Sequence, residues 1–152
     1  MSLSLLERIQ SDIKDSLRSG QKERLSILRM VMAQIKNKAI EKGRDAQLTE
    51  DEIVDLLAGM LRKMEESVAQ FTMGGREDLA EKERSEMVVI REFMPEPLSV
   101  EQIDGLIAEA IKETHATSAK EMGSVMKWLT PKTMGRADNR VVSQKVKALL
   151  GG

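Results

Sequence analysis

Thr49-Glu50-Asp51-Glu52-Ile53-Val54-Asp55-Leu56-Leu57-Ala58-Gly59-Met60-Leu61-Arg62-Lys63-Met64 is the stretch that decides the fold. Thr49 and Glu52 have the spacing of a capping box, in which each side chain accepts the other residue's backbone amide. Beyond the box, Ile53, Leu56, Leu57, Met60, Leu61, Met64 and Val68 recur at threes and fours. That spacing lines one face of a helix and does not alternate as a strand would. It predicts a long helix through Phe71, broken at Gly74-Gly75.

Reading outward toward the N-terminus, Leu25, Leu28, Val31, Met32, Ile35 and Ala39 form the apolar stripe of a helix from about Lys22 to Lys42, closed by Gly43. Before it, Ser4 and Glu7 make another capping box, and Ile9, Ile13 and Leu17 repeat every four residues until Gly20. In the other direction a strongly charged helix is expected from about Arg76 to Phe93, ending at Met94-Pro95-Glu96-Pro97. Two prolines in three residues favour extended backbone and cannot continue a helix. Pro95–Leu98 is therefore read as a boundary and hinge.

Past it, Ser99 with Gln102 opens a helix carrying Ile103, Leu106, Ile107, Ala110 and Ile111. Ser118 with Glu121 opens another carrying Met122, Val125, Met126 and Leu129, and this one runs into Pro131. Asp138 is the expected N-cap of the last helix, with Val142, Val146 and Leu149 inward. The reading is all-α: an N-terminal helical bundle over residues 1–94, a Pro-rich hinge at 95–98, and a small three-helix tail domain over 99–152.

Composition agrees with helices. Aromatic residues make up 2% of the chain, too few for the usual β-sandwich or barrel, and eleven methionines can fill a helical core or line a hydrophobic groove. The absence of cysteine excludes disulfides, thiolate metal sites and a cysteine nucleophile. The start, Met1 to Glu7, lacks the basic segment and apolar run of a secretory signal, and no run reaches the roughly twenty residues of a membrane span. A soluble, cytoplasmic protein without membrane contact is the expectation.

Charge is distributed unevenly. Residues 1–44 hold ten bases and five acids, residues 45–119 seven bases and eighteen acids, and residues 120–152 seven bases and two acids. A chain of net charge −1 is thus basic at both ends and acidic between them. Phosphate is the commonest partner of such basic surfaces. In the second helix Lys22, Arg29 and Lys36 recur every seven residues, a ribbon that drifts only about 20° per step. In the tail, Lys127, Lys132, Arg136, Arg140 and Lys145 are the candidate contacts, with Lys120 and Lys147 adding to the field.

No catalytic constellation is found. There is no phosphate-binding Walker loop, dinucleotide fingerprint or nucleophile elbow, and adjacent acids such as Glu65-Glu66 diverge by about 100° around a helix. The single His115 reads as a surface or capping residue, and Gly74-Gly75-Arg76 as a helix stop and restart. No cofactor or metal is expected.

The segment Met122-Gly123 with Val125-Met126, followed by Pro131-Lys132 and Gly135-Arg136-Ala137-Asp138, resembles the GatB/YqeY domain family, as do Lys22-Glu23-Arg24-Leu25, Gly75-Arg76-Glu77-Asp78-Leu79 and Phe93-Met94-Pro95. The likeness covers essentially the whole chain. It implies a helical bundle followed by a compact tail domain. In the B subunit of the tRNA-dependent amidotransferase, that tail helps to hold tRNA, while a separate, larger domain performs the carbon–nitrogen ligase chemistry with glutamine as amide donor. The resemblance therefore implies a non-catalytic accessory protein that contacts tRNA or another RNA. The alternative is a protein–protein adaptor for an amidotransferase or aminoacyl-tRNA synthetase assembly, docking through the acidic middle and methionine-rich grooves.

Within the motif, Gly123 is expected to permit close helix approach, Gly135 to supply a positive-φ turn, and Asp138 to cap. Arg136 either contacts a phosphate or serves the loop, by capping the preceding helix or pairing with Asp138. One departure stands out. Where family members carry small residues after Val-Met, this chain has Lys127-Trp128, and Trp128 either fills the tail core or stacks on a base.

Overall fold

The computed structural model describes residues 3–151, and every regular element among them is helical. The order is α1 (Leu5–Ser19), α2 (Lys22–Lys42), α3 (Glu50–Met73), α4 (Glu77–Arg91), α5 (Val100–Thr114), a 3₁₀ turn at Ala119–Glu121, α6 (Met122–Thr133) and α7 (Asn139–Leu149). The chain packs as two compact units that divide between Met94 and Pro95.

In the first unit every helix buries at least one large side chain almost completely: Ile9 from α1, Leu28 from α2, Leu57 from α3 and Ile90 from α4. These sit in a single apolar core with Val31, Ile35, Ile53, Leu61 and Phe93. Five methionines fill this core, Met64 and Met87 buried in it and Met32, Met60 and Met94 packed against it, while Met30 and Met73 are exposed. Local signals place the helix ends. Ser4 with Glu7 and Thr49 with Glu52 form their capping boxes. The Leu5 amide, left without an intrahelical partner, donates to Glu50 Oε1 at 2.6 Å, so the first turn of α3 caps the start of α1. After α3 the Arg76 amide reaches back to Phe71 O at 2.7 Å over Gly75, whose φ of 73° suits a residue without a Cβ.

Two details of the first unit differ from the expected pattern. Leu17 is exposed, and Ser16 takes the inward position with its hydroxyl donating to Asp12 Oδ1 at 3.0 Å. The charged fourth helix is Glu77–Arg91, shorter at both ends than expected.

The second unit is built on Ile107 of α5, Val125 and Leu129 of α6, and Val142 and Val146 of α7, all fully buried. Ser99 and Gln102 form their capping box. Ser118 makes no side-chain cap; a 3₁₀ turn intervenes, and Glu121 instead reaches back to accept the Thr117 amide at 2.7 Å. Pro131 lies inside α6, which continues to Thr133. The ring removes the amide that would donate to the Lys127 carbonyl in the last turn, and the Thr130 and Thr133 hydroxyls bond back to Met126 O and Leu129 O. In α7 the residue that follows Val142 and Val146 inward is Leu150, four positions on, and Leu149 is 64% exposed. His115 ends α5 in the left-handed region with φ 56°.

Candidate nucleic-acid interface

The α6–α7 segment sorts the tail bases into two groups. Lys127 and Lys132 both lie on the exposed side of α6, about 140° apart around its axis, with Trp128 between them. Trp128 is half-buried against the core of this unit. Lys132 Nζ stands 3.8 Å from the centroid of its ring. On α7, Arg140 and Lys147 share one exposed ribbon, being seven residues apart. Among the described residues, Lys120, Lys127, Lys132 and Lys147 form no ion pair, so their charge is available to a ligand.

Of the other predicted residues, Lys145 and Arg136 are drawn into architecture and Arg140 is not. Lys145 Nζ bonds Asp104 Oδ1 at 2.9 Å, tying α7 to α5. Arg140 lies 3.9 Å from Asp138, a long and exposed pairing of little strength. The Arg136 amide donates to Thr133 O at the end of α6, but its side chain takes neither of the loop roles expected of it. Its Nε donates to Glu96 O at 3.0 Å, and its carbonyl accepts the Leu98 amide at 2.8 Å. The segment after Pro95 is thus stitched to the α6–α7 loop, with Arg136 supplying both stitches. Gly135 turns that loop with φ 72°, and Asp138 caps α7 by accepting the Arg140 amide at 2.9 Å. Gly123 corrects the close-approach expectation: a Cβ there would meet nothing within 4 Å.

In the first unit Lys22, Arg29 and Lys36 are all exposed on α2, and none forms an ion pair among the described residues. Arg24 does not join them. Its Nε and Nη2 grip Asp12 at 2.8 and 2.5 Å, and its Nη1 meets Glu92 Oε2 at 2.6 Å. Arg8 donates to Glu92 O at 3.2 Å and lies over the Phe93 ring. Two arginines from α1 and α2 therefore clasp the last turn of α4. The Arg24 guanidinium holds the Asp12 carboxyl below the usual carboxylate range, against the opposing effect of burial.

A cleft of about 310 Å³ opens beside this clasp, walled in part by Leu3, Ser11, Asp15 and Phe93. Periodicity held the signal for Arg24. It precedes Leu28 by four residues and Val31 by seven, which puts it at the edge of the buried stripe rather than on the solvated face. Among the described residues no group of three or more His, Asp or Glu side chains is placed to hold a metal ion, and no helix is long and apolar enough to cross a membrane.

The clasp joins Arg24 of the Lys22–Leu25 motif to the helix end next to the Phe93-Met94-Pro95 motif, so two separated sequence signatures meet in one structure. Comparison with known proteins agrees, since the family model described as Yqey-like protein matches residues 6–150. The chain belongs to the YqeY-like protein family. Several relatives carry the name "altered inheritance of mitochondria protein 41, mitochondrial". The one from Pyrenophora tritici-repentis is 29% identical over 97% of this chain and 81% of its own length. Those from Kluyveromyces lactis and Eremothecium gossypii are 28% and 30% identical over 69% and 72% of this chain. For these two the chain spans only 57% and 62% of the relative's length.

None of these names states a reaction. They do overturn the cytoplasmic expectation, because the relatives are named as mitochondrial proteins. The lack of an apolar secretory leader does not bear on this, because mitochondrial targeting segments are amphipathic and arginine-rich.

Proposed function

We propose that this YqeY-like chain is an accessory protein that contacts RNA, with tRNA as the leading ligand, through the exposed bases of α6 and α7. The observation that carries the reading is the set of bases free of acidic partners, Lys120, Lys127, Lys132 and Lys147, set against the engagement of Lys145 by Asp104. Uncompensated ammonium groups on one segment attract polyanions, and the GatB/YqeY likeness supplies tRNA as the candidate. The basic ribbon Lys22, Arg29 and Lys36 is a second contact surface on the first unit.

If about four of these bases neutralise phosphates, the logarithm of affinity falls with the logarithm of salt at a slope of about −3 to −4. Raising salt from 50 to 200 mM then weakens binding on the order of 100-fold. A filter-binding titration with bulk tRNA measures this. No retention of tRNA at low salt defeats the reading, and so does a salt-independent affinity.

A second reading, a protein–protein adaptor, has the 45–94 segment in its favour, with six bases against thirteen acids. Its test is purification from lysate treated with ribonuclease. A partner that persists without RNA supports the adaptor, and one that disappears supports RNA bridging.

A further inference from the structure

Trp128 is the only tryptophan in the chain. Side chains on a helix lean toward the N-terminal turn, so its indole lies over the turn of Ser124, and the Lys132 stem lies back over the indole. The ammonium 3.8 Å from the ring centroid marks a face of the ring that the apolar core does not cover. The ground next to it is low: Gly123 and Ser124 are exposed, and the Gly123 Cα faces open space. Lys127, the preceding residue, is exposed and projects about 100° away around α6. A flat aromatic face with one ammonium over it and small residues along one edge offers a surface on which a planar base can stack.

We propose that Trp128 and Lys132 form a seat for one unpaired nucleotide of an RNA strand, a deepening that rests on the RNA reading above. The base displaces the ammonium and stacks on the indole, and Lys132, thus released, turns to the neighbouring phosphate. The exchange favours the RNA because a base stack exceeds an exposed ammonium–indole contact, and the ammonium regains an anion. Paired bases in a duplex are already stacked and hydrogen-bonded, so the seat selects single-stranded segments, loops and ends.

Trp128 is its own reporter. The full chain is titrated at low salt with a single-stranded oligoribonucleotide of about ten nucleotides, with a duplex of equal length, and with AMP. Binding is followed independently by the anisotropy of end-labelled RNA. The expected result is quenching of Trp128 emission that saturates together with the anisotropy for the single strand and is absent for the duplex. Trp128→Leu weakens single-strand binding about tenfold with duplex binding unchanged, and Lys132→Gln lowers the salt slope by about one.

RNA bound by anisotropy with unchanged Trp128 emission overturns the seat and leaves the RNA reading standing. AMP quenching at the same concentrations as the oligonucleotide overturns an RNA strand as the ligand. No anisotropy change with any RNA overturns the RNA reading itself. Should Trp128→Leu melt the tail, as circular dichroism would reveal, the emission of the unaltered chain decides.

Discussion

Replacing Arg24 with Met keeps most of the apolar stem and removes the guanidinium, so it isolates the clasp. Three polar contacts vanish, two to Asp12 at 2.8 and 2.5 Å and one to Glu92 at 2.6 Å. Their weights differ with exposure. The Arg24 and Asp12 side chains are 25% and 23% exposed, so their bidentate pairing is largely sheltered and contributes about 1.5 kcal/mol. Glu92 is 50% exposed, and solvent screens its share to about 0.5 kcal/mol. Arg24→Met should therefore lower the stability of the first unit by about 2 kcal/mol. Urea unfolding followed by circular dichroism measures it. A double-mutant cycle with Asp12→Asn should return a coupling of about 1.5 kcal/mol, and the cycle with Glu92→Gln about 0.5 kcal/mol. An Arg24–Asp12 coupling below about 0.3 kcal/mol, within the scatter of independent sites, refutes the reasoning.

Acid provides a second handle on the same pair. The folded Asp12 pKa lies below its unfolded value, because ionised Asp12 is held by Arg24. The stabilisation is therefore fully present above the unfolded value of about 3.9 and is lost as pH falls through the folded value. The stability gap between the parent and Arg24→Met should be constant from neutral pH down to about pH 5 and should close below about pH 4.

Asp138→Ala should lower the stability of the second unit by about 1 kcal/mol through loss of its bond to the Arg140 amide, read from thermal unfolding, with RNA affinity retained. Gly123→Ala should raise stability by about 0.5 kcal/mol, because α6 has open space there, whereas Gly135→Ala should lower it by about 1 kcal/mol at φ 72°; equal signs for the two would contradict these backbone readings. Lys127→Glu combined with Lys132→Glu should reduce tRNA affinity and flatten its salt slope by about two, since neither residue holds the fold.

The sequence declared the all-helical fold through features that act locally. Capping boxes at Ser4, Thr49 and Ser99 complete their bonds within four residues, and stripes such as Ile53–Leu57–Leu61–Met64 need only a core on one side. Errors arose where a tertiary partner or a competing local bond decided the outcome. Ser118 met the spacing of a capping box, but Glu121 found the Thr117 amide instead. Leu17 kept the four-residue rhythm, yet the buried position went to Ser16, whose hydroxyl is satisfied by Asp12. The candidate site divided in the same way. Charge counts identified basic segments, and helical periodicity placed Lys22, Arg29 and Lys36 on one exposed ribbon. Asp104 lies 41 residues from Lys145, and Asp12 and Glu92 lie 12 and 68 residues from Arg24, at separations no helical spacing announces.

Arg136 shows that a residue of a specific motif can carry a structural task of its own. Its position in Gly135-Arg136-Ala137-Asp138 invited a phosphate, and the structure gives it two bonds to the segment after Pro95 instead. Arg136→Lys tests which task matters. Lysine preserves the charge that a polyanion would sense but lacks the Nε donor that reaches Glu96 O. The carbonyl of residue 136 still accepts the Leu98 amide, so one stitch of the two survives. If Arg136 serves the stitch, the lysine variant should lose about 0.5–1 kcal/mol of stability while binding tRNA as the parent does. If it serves the ligand, stability should hold and affinity should fall, since a point charge replaces a planar fork. A variant that unfolds like the parent and binds more weakly would return Arg136 to the contact surface and defeat the assignment made here.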